Sequence, residues 1–252
     1  MKSCRKKKPK WLCSIIYQLR IICWAIRIIR HYEYRLKQQG MLALEENLSI
    51  QDFINNTPMY YRDKDGTLIV GLICVAQVLE GKCVLLERDC KLTESLDDAP
   101  LSDPISVAYN SNNLYTMFSC IYSSLPALQN LERFFPTECF ILLFPYTYFD
   151  HVRSDASHAE LCKHLKDGCV AARIAIYPSY NHLKGKEIYY PTKEEVDRLV
   201  PGGHVVVLTH YDFDAYDCLF YQYQESYGTQ TCDKGYAYVY ADCLTHFVDI
   251  KL

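Results

Sequence analysis

The sequence places histidines and carboxylates directly after two apolar runs, one at 139–144 and one at 204–208. The polar residues that follow these runs are Asp150, His151, His210, Asp212 and Asp214. Imidazole and carboxylate groups are ligands for zinc and manganese, and a bound ion can generate hydroxide for phosphoester hydrolysis. These residue types therefore indicate a candidate metal site.

The spacing His210-x-Asp212-x-Asp214 is similar to the opening motif of DHH-type phosphoesterases, and the resemblance covers about a dozen residues. It implies a metal-dependent phosphoesterase. In that hypothesis Asp150, His151 and Asp214 hold Mn or Zn, while His210 and Asp212 are catalytic, with a histidine as general acid. The alternative is that these side chains cap turns at strand ends.

The segments that would position these residues alternate between strand and helix patterns. Apolar runs at 139–144, 169–177 and 204–208 predict strands, and capping boxes beginning at Ser157 and Thr192 predict the helices between them. This order is typical of a parallel sheet with crossover helices. Ligands bind beyond the carboxyl ends of parallel strands. The polar residues that follow the runs at 139–144 and 204–208 therefore lie where a binding site is expected.

The other predicted elements of residues 48–252 indicate a mixed α/β fold class. A β-hairpin is predicted between 67 and 87, a helix at 125–134, and an antiparallel pair at 219–224 and 236–247. We predict one acidic α/β domain over residues 48–252, preceded by a basic arm over residues 1–47.

The arm carries a strong positive charge. Residues 1–40 hold eleven Lys and Arg and one acid, whereas the whole chain has a net charge of −3. Such asymmetry is typical of a polyanion-binding segment. The residues predicted to contact an anionic membrane surface or another polyanion are Arg5, Lys6, Lys7, Lys8, Lys10, Arg20, Arg27 and Arg30.

A long helix is predicted from Trp11 to Lys37, because no Pro or Gly interrupts it. Three interpretations are open: an interfacial amphipathic helix, a membrane-spanning helix, and a helix that packs on the protein's own core. The interfacial helix is favoured, because a span would place Arg20 near the middle of the bilayer.

The other patterns exclude several function classes. The thirteen cysteines are scattered without a CxxC, which indicates free thiols in a reducing compartment. A dinucleotide fingerprint, a phosphate-binding loop and a serine-hydrolase elbow do not occur in the sequence. His158, Cys162 and Cys169 match no common zinc spacing, and a buried thiol with a surface histidine is the favoured interpretation.

These patterns lead to one main hypothesis and one competitor. The main hypothesis is a non-enzymatic intracellular accessory protein that needs no cofactor. A viral source is one interpretation of its Tyr- and Cys-rich composition. The protein would lie in the cytoplasm at a membrane surface, with the nucleus as an alternative, and would bind a protein partner. Nucleic acid would bind only through the arm, since the body is acidic. The competitor is the metal-dependent phosphoesterase.

Overall fold

The computed structural model describes residues 9–62, 72, 78–79, 84–93, 138–143 and 156–251. The described helices are α1 (Cys23–Gln39), α2 (Ile50–Asn56), α3 (Ala156–Asp167) and α4 (Lys193–Arg198). The described strands are β1 (Glu138–Leu143), β2 (Val170–Ile176), β3 (Ile188–Tyr189), β4 (Gly202–Phe213), β5 (Leu219–Gln224), β6 (Tyr236–Tyr240) and β7 (Leu244–Lys251). The predicted helix at 125–134, and most of the predicted hairpin at 67–87, lie outside the described residues.

The strands form one mixed sheet in the order β1-β7-β2-β4-β5-β6-β3. Neighbours are antiparallel except for β3 and β6, which are parallel. The mixed α/β class is therefore confirmed, and so is the antiparallel pair of β5 with β6.

The predicted parallel arrangement of the central strands is wrong. β2 and β4 are antiparallel neighbours, with Val170 opposite Leu208. The error has a physical cause: apolar runs buried on both faces are common in parallel sheets, but burial does not report strand direction. The carboxyl ends of β1 and β4 point to opposite edges of the sheet, with β7 and β2 between them. The carboxyl ends of β1 and β4 therefore do not share one edge of the sheet, as the predicted metal site requires.

Helix α1 begins at Cys23, not at Trp11, and is almost completely buried. It contacts β2, β4 and β7 along its length. Ile22, Ile28 and Ile29 are sealed in the core, although Ile21 is half exposed. The predicted interfacial helix is therefore wrong, because the apolar side chains that were to enter a membrane pack on the sheet. In the described part of the chain, every helix is too short or too polar to span a bilayer.

Residues close in sequence determine where several helices begin or end. Gly40 ends α1 with a left-handed φ of 72°, and its N–H bonds back to the carbonyls of Leu36 and Lys37. Thr192 and Glu195 form the predicted capping box of α4. Helix α3 covers the predicted segment and ends just before Gly168, as the sequence indicates.

The sheet contributes to two hydrophobic clusters because successive side chains of a strand point to opposite faces. Ala171 and Val205 pack with α1 and α2, whereas Ala172 and Val206 pack in a second cluster that includes α3. Helix α1 is thus held between α2 and the sheet, and its first residue lies close to the beginning of β4.

Candidate active site

The residues of the predicted metal site that the structure describes lie along β4 and the turn after it. His210 Nε2 is 3.8 Å from Asp212 Oδ2, and Asp212 is largely exposed. Asp150 and His151 lie outside the described residues. Within the described ranges, no three His, Cys, Asp or Glu side chains are grouped so that they could hold a metal ion.

Asp214 organises the turn between β4 and β5. Its Oδ1 accepts the backbone N–H groups of Tyr216 and Cys218, each at 2.9 Å. Its Oδ2 accepts the hydroxyl of Tyr240 at 2.8 Å. The structure therefore gives Asp214 the turn-capping position that was the alternative to a metal ligand.

The predicted polyanion-binding residues do not share one surface. Arg27 and Arg30 are buried, whereas Lys10 and Arg20 are exposed. Lys10 Nζ lies 5.5 Å from the centre of the Trp11 ring. The other four, Arg5, Lys6, Lys7 and Lys8, lie outside the described residues, so their contact with a polyanion stays a prediction.

A different group of chemically active side chains lies where α1 meets the sheet. Cys23 is the first residue of α1, and Ile22 before it provides no side-chain cap. The first backbone N–H groups of a helix have no partner within the helix, and the helix dipole is positive there. A thiol at this position lies in an environment that stabilises negative charge.

The imidazole of His204 lies beside the Cys23 sulfur. The two side chains are hydrogen-bonded, and the backbone N–H of Val205 also donates to the sulfur. His204 is the third residue of β4, the strand against which α1 packs. The packing of α1 on β4 is therefore what brings the thiol to the imidazole.

Glu225 forms a hydrogen bond with the Nε2 atom of the His204 ring. His204 Nε2 is 2.7 Å from Glu225 Oε1, which leaves Nδ1 as the ring nitrogen that faces Cys23. Glu225 directly follows β5, and antiparallel pairing brings the end of β5 beside the start of β4. The backbone N–H of Ser226 also donates to Oε1, at 2.7 Å.

The three side chains favour a thiolate–imidazolium pair. Burial by itself would raise the pKa of Cys23, but the hydrogen bond and positive charge of His204 lower it below the usual thiol value. Burial would likewise lower the pKa of His204, but the charge of Glu225 and the bond to Cys23 raise it to about 10. The lowered pKa of Cys23 and the raised pKa of His204 both favour a thiolate beside a protonated imidazole.

Glu225 is kept ionised by its surroundings, although only 2 % of it is exposed. Burial opposes the charge, but the charge of His204 and the hydrogen bonds from His204 and Tyr180 lower the pKa of Glu225 to about 2. The Tyr180 hydroxyl donates to Glu225 Oε2, and the Tyr223 hydroxyl lies 2.9 Å from that of Tyr180. Both carboxylate oxygens therefore have fixed partners.

Tyr227 covers the imidazole of His204 on one face. The two rings are stacked, with centroids 5.5 Å apart and an interplanar angle of 11°. Gly228 follows with a φ of +83°, and a Cβ there would lie 3.2 Å from the ring of Tyr17. Only glycine adopts this φ without strain, so Gly228 lets the chain turn tightly beside Tyr17.

Gln18 lies beside this site, five residues before Cys23. Its backbone N–H donates to the Ser226 carbonyl at 2.9 Å, next to Glu225. The side chain is buried, and its Oε1 has no hydrogen-bond partner among the described residues. Most buried polar atoms in folded proteins have a hydrogen-bond partner, so Gln18 is a candidate for a role at this site.

The geometry matches an activated nucleophile. A thiolate is a strong nucleophile, the adjacent imidazolium is a general acid, and a third group fixes the orientation of the ring. The three elements that carry these groups, α1, β4 and the end of β5, are rigid parts of the fold.

Comparisons with solved structures find proteins of similar fold. Procathepsin B S9 from Trypanosoma congolense matches with a TM-score of 0.66 and 11 % identity, over 99 % of this chain and 76 % of that one. Bromelain from Ananas comosus matches with a TM-score of 0.63 and 12 % identity, over 98 % and 96 %. Digestive procathepsin L2 from Tenebrio molitor matches with a TM-score of 0.64 and 14 % identity, over 100 % and 67 %.

The chain has the fold of papain-like cysteine proteases. No protein-family model matches the sequence, and no curated protein sequence matches it significantly. The fold overturns both functional hypotheses drawn from the sequence, the non-enzymatic tether and the metal-dependent phosphoesterase. The description as a peripheral-membrane, metal-binding accessory protein is wrong for the same reason.

Cys23, His204 and Glu225 were not among the functional residues predicted from the sequence. Cys23-Trp24 corresponds to the last two residues of the papain-type signature C-G-[SA]-C-[WY]. The residues before it, Arg20-Ile21-Ile22, do not fit that signature and made the segment resemble an amphipathic helix. The side chains that meet Cys23 lie 181 and 202 positions beyond it in the sequence, so spacing alone does not reveal them.

Proposed function

We propose that this chain is a cysteine protease with Cys23 as its nucleophile. The observation that carries the proposal is the chain of hydrogen bonds from Cys23 to His204 to Glu225 at the uncapped start of α1. The papain-like fold supports it, since the solved structures with this fold include cathepsins and bromelain.

The proposed reaction proceeds in two steps. The Cys23 thiolate attacks the peptide carbonyl carbon, and the imidazolium of His204 gives its proton to the leaving amine as the C–N bond breaks. The neutral imidazole then takes a proton from water, and the resulting hydroxide attacks the thioester. Hydrolysis releases the acid and restores the thiolate and imidazolium.

The start of α1 and Gln18 supply groups for the negative oxygen of the tetrahedral intermediate. The backbone N–H of Cys23 lies at the positive end of the helix. We assign the side-chain amide of Gln18, which is buried, as the second N–H donor. Fixed donors of this kind stabilise the transition state, and removal of one reduces kcat by about 10²–10³.

The site departs from the papain-like pattern in one respect. Those proteases use a Cys-His-Asn arrangement, whereas the third position here is Glu225. A neutral asparagine can only orient the ring, whereas the negative charge of Glu225 also stabilises the protonated form of His204.

The test is hydrolysis of fluorogenic peptides by the full chain, with Cys23→Ala as the inactive variant and Cys218→Ala as the matched control. Cys218 is a partly buried thiol at the far end of the β4–β5 hairpin. We expect hydrolysis by the wild type and by Cys218→Ala, and loss to background for Cys23→Ala. A folded wild type that cleaves no peptide in a broad library contradicts the proposal.

A further inference from the structure

Arg27 is a buried cation close to the site that the proposed mechanism does not use. It lies one turn after Cys23, on the same face of α1, and its exposed fraction is 0 %. Its Nη1 donates to the Gln224 side chain at 3.1 Å. Its Nε and Nη2 have no hydrogen-bond partner among the described residues. A buried guanidinium without a bonded carboxylate needs another source of stabilisation.

The contact with Gln224 ties Arg27 to the strand that carries Glu225. Gln224 ends β5 and directly precedes Glu225, and its Nε2 donates to the Cys13 carbonyl at 2.9 Å. Arg27 is therefore fixed between the nucleophile on α1 and the carboxylate after β5.

The charges of the site balance only when Arg27 is included. A thiolate, an imidazolium and a carboxylate together leave one net negative charge in a space from which water is excluded. Such a charge is strongly unfavourable unless it is compensated. Arg27 brings the total for Cys23, Arg27, His204 and Glu225 to zero.

The electrostatic interactions agree with this balance. Burial lowers the pKa of Arg27, and the charges of Glu225 and Cys23 oppose that effect. Arg27 in turn is one of the groups that hold the pKa of Glu225 down. The titratable groups that interact with Glu225 are Cys23, Arg27, Tyr180, His204, Tyr223, Tyr227 and Cys232. Within this set, Arg27 and His204 are the cations.

We propose that Arg27 is a positioning residue of this site, the counter-charge that allows a carboxylate, Glu225, to take the third place beside Cys23 and His204. The proposal rests on the Cys23–His204 site of the proposed function. It predicts that the effects of substitutions at Arg27 and Glu225 are coupled. Loss of the Arg27 charge should reduce the reactivity of Cys23 when residue 225 is a charged glutamate, and should have little effect when residue 225 is neutral.

The experiment is a double-mutant cycle on the full chain with Arg27→Met, Glu225→Gln and the double variant. The readout is the rate at which iodoacetamide alkylates Cys23 at pH 7, followed by mass spectrometry. Trypsin releases Cys23 in the peptide 21–27, or 21–30 when Arg27 is Met, so the other thiols do not interfere. This rate reports the thiolate without any substrate, so it remains informative even if no peptide is cleaved.

We expect Arg27→Met to slow alkylation at least tenfold in the wild-type background and to have a much smaller effect beside Glu225→Gln. A coupling factor of fivefold or more supports the proposal, and a smaller factor overturns it. If Arg27→Met alone does not fold, the charge-balanced double variant is expected to fold. A double variant that also fails to fold contradicts the proposal.

Two control variants separate charge from packing. Arg27→Lys keeps the charge, and we expect a rate within threefold of the wild type. Gln224→Leu removes the hydrogen bond to Arg27 but keeps the charge, and should also remain within threefold. If Gln224→Leu slows alkylation as much as Arg27→Met does, Arg27 acts only by holding β5 in place, and the counter-charge role is wrong.

Discussion

In the proposed mechanism, Glu225 sets the pH range of activity, because its charge acts directly on His204. The carboxylate is 2.7 Å from the imidazole and raises the pKa of His204 to about 10. The thiolate–imidazolium pair is lost when pH rises through that value, since the imidazole then gives up its proton. A neutral third residue would provide less stabilisation for the imidazolium.

Replacing Glu225 with Gln should therefore move the alkaline limit of activity downward. An opposite charge this close raises a histidine pKa by roughly one to three units, so we expect a fall of that size. The measurement is the pH dependence of kcat/KM for peptide hydrolysis, with Glu194→Gln on the exposed face of α4 as the control. An alkaline limit that stays within half a unit of the wild-type limit contradicts this account.

The hydroxyl of Tyr180 should contribute to the stability of the folded state. It bonds a carboxylate oxygen that lies away from water, so Tyr180→Phe leaves that oxygen of Glu225 without its partner. We expect a loss of about 1–3 kcal/mol in the free energy of unfolding, measured with urea. Tyr216→Phe, at an exposed turn, serves as the control and should leave the free energy unchanged. Equal stability of both variants would show that the Tyr180 hydroxyl contributes nothing.

At the scale of elements, a second buried ionic cluster joins α1, α3 and β7. Asp249 on β7 is bound by Arg35 at 2.7 Å and His31 at 3.1 Å, both on α1, and by His164 of α3 at 2.5 Å. Burial opposes the charge, but hydrogen bonds from both histidines and the positive charges around it lower the pKa of Asp249 far below its usual value. The cluster fixes the far end of the helix that begins with Cys23.

Asp249→Asn should destabilise the protein by about 3–5 kcal/mol, because it removes the negative charge that pairs with the guanidinium of Arg35 in the buried cluster. A lowered pKa means that this contribution is present above the usual aspartate value of 3.8 and decreases as pH falls below it. Urea unfolding at pH 7 and pH 3 measures both effects. We expect the difference between wild type and variant to shrink at pH 3, and a difference that is equal at the two pH values would be inconsistent with an ionised Asp249.

Local signals in the sequence were sufficient for some elements and misleading for others. The capping box at Thr192 identified the start of α4 correctly, because a cap depends on residues close in sequence. Helix α3 was also predicted, but it begins at Ala156, so Ser157 lies inside the helix and does not cap it. The predicted parallel direction of β2 and β4 was wrong, since a buried apolar run carries no information about its partner strand. Strand direction depends on contacts between residues far apart in the chain.

Helix α1 shows why the candidate site could not be read from the pattern. The prediction placed the arginines against anionic head groups at a membrane surface, but Arg30 and Lys37 are buried and both bind Glu33, at 2.5 and 2.6 Å. Buried ion pairs of this kind give a core helix the sequence of a surface helix. Several residues that indicated a membrane tether, namely Ile22, Arg27, Ile28, Ile29 and Arg30, are therefore buried in the core.

At the scale of the whole molecule, the fold determines the site by bringing three distant segments together. The sequence supported the mixed α/β class, yet it also led to a metal site, because polar residues after strands are common. The residues that meet are separated by about two hundred positions, and only packing of α1 between α2 and the sheet joins them.

The most direct test of the account is the reactivity of Cys23 at pH 6, where an ordinary thiol is roughly 0.3 % ionised. The full chain is treated with iodoacetamide, and alkylation of each cysteine is followed over time by mass spectrometry. We expect Cys23 to react at least tenfold faster than the half-buried thiols Cys162 and Cys232, and to lose that advantage in His204→Gln. A Cys23 that reacts no faster than those two thiols would show that it is not an activated nucleophile.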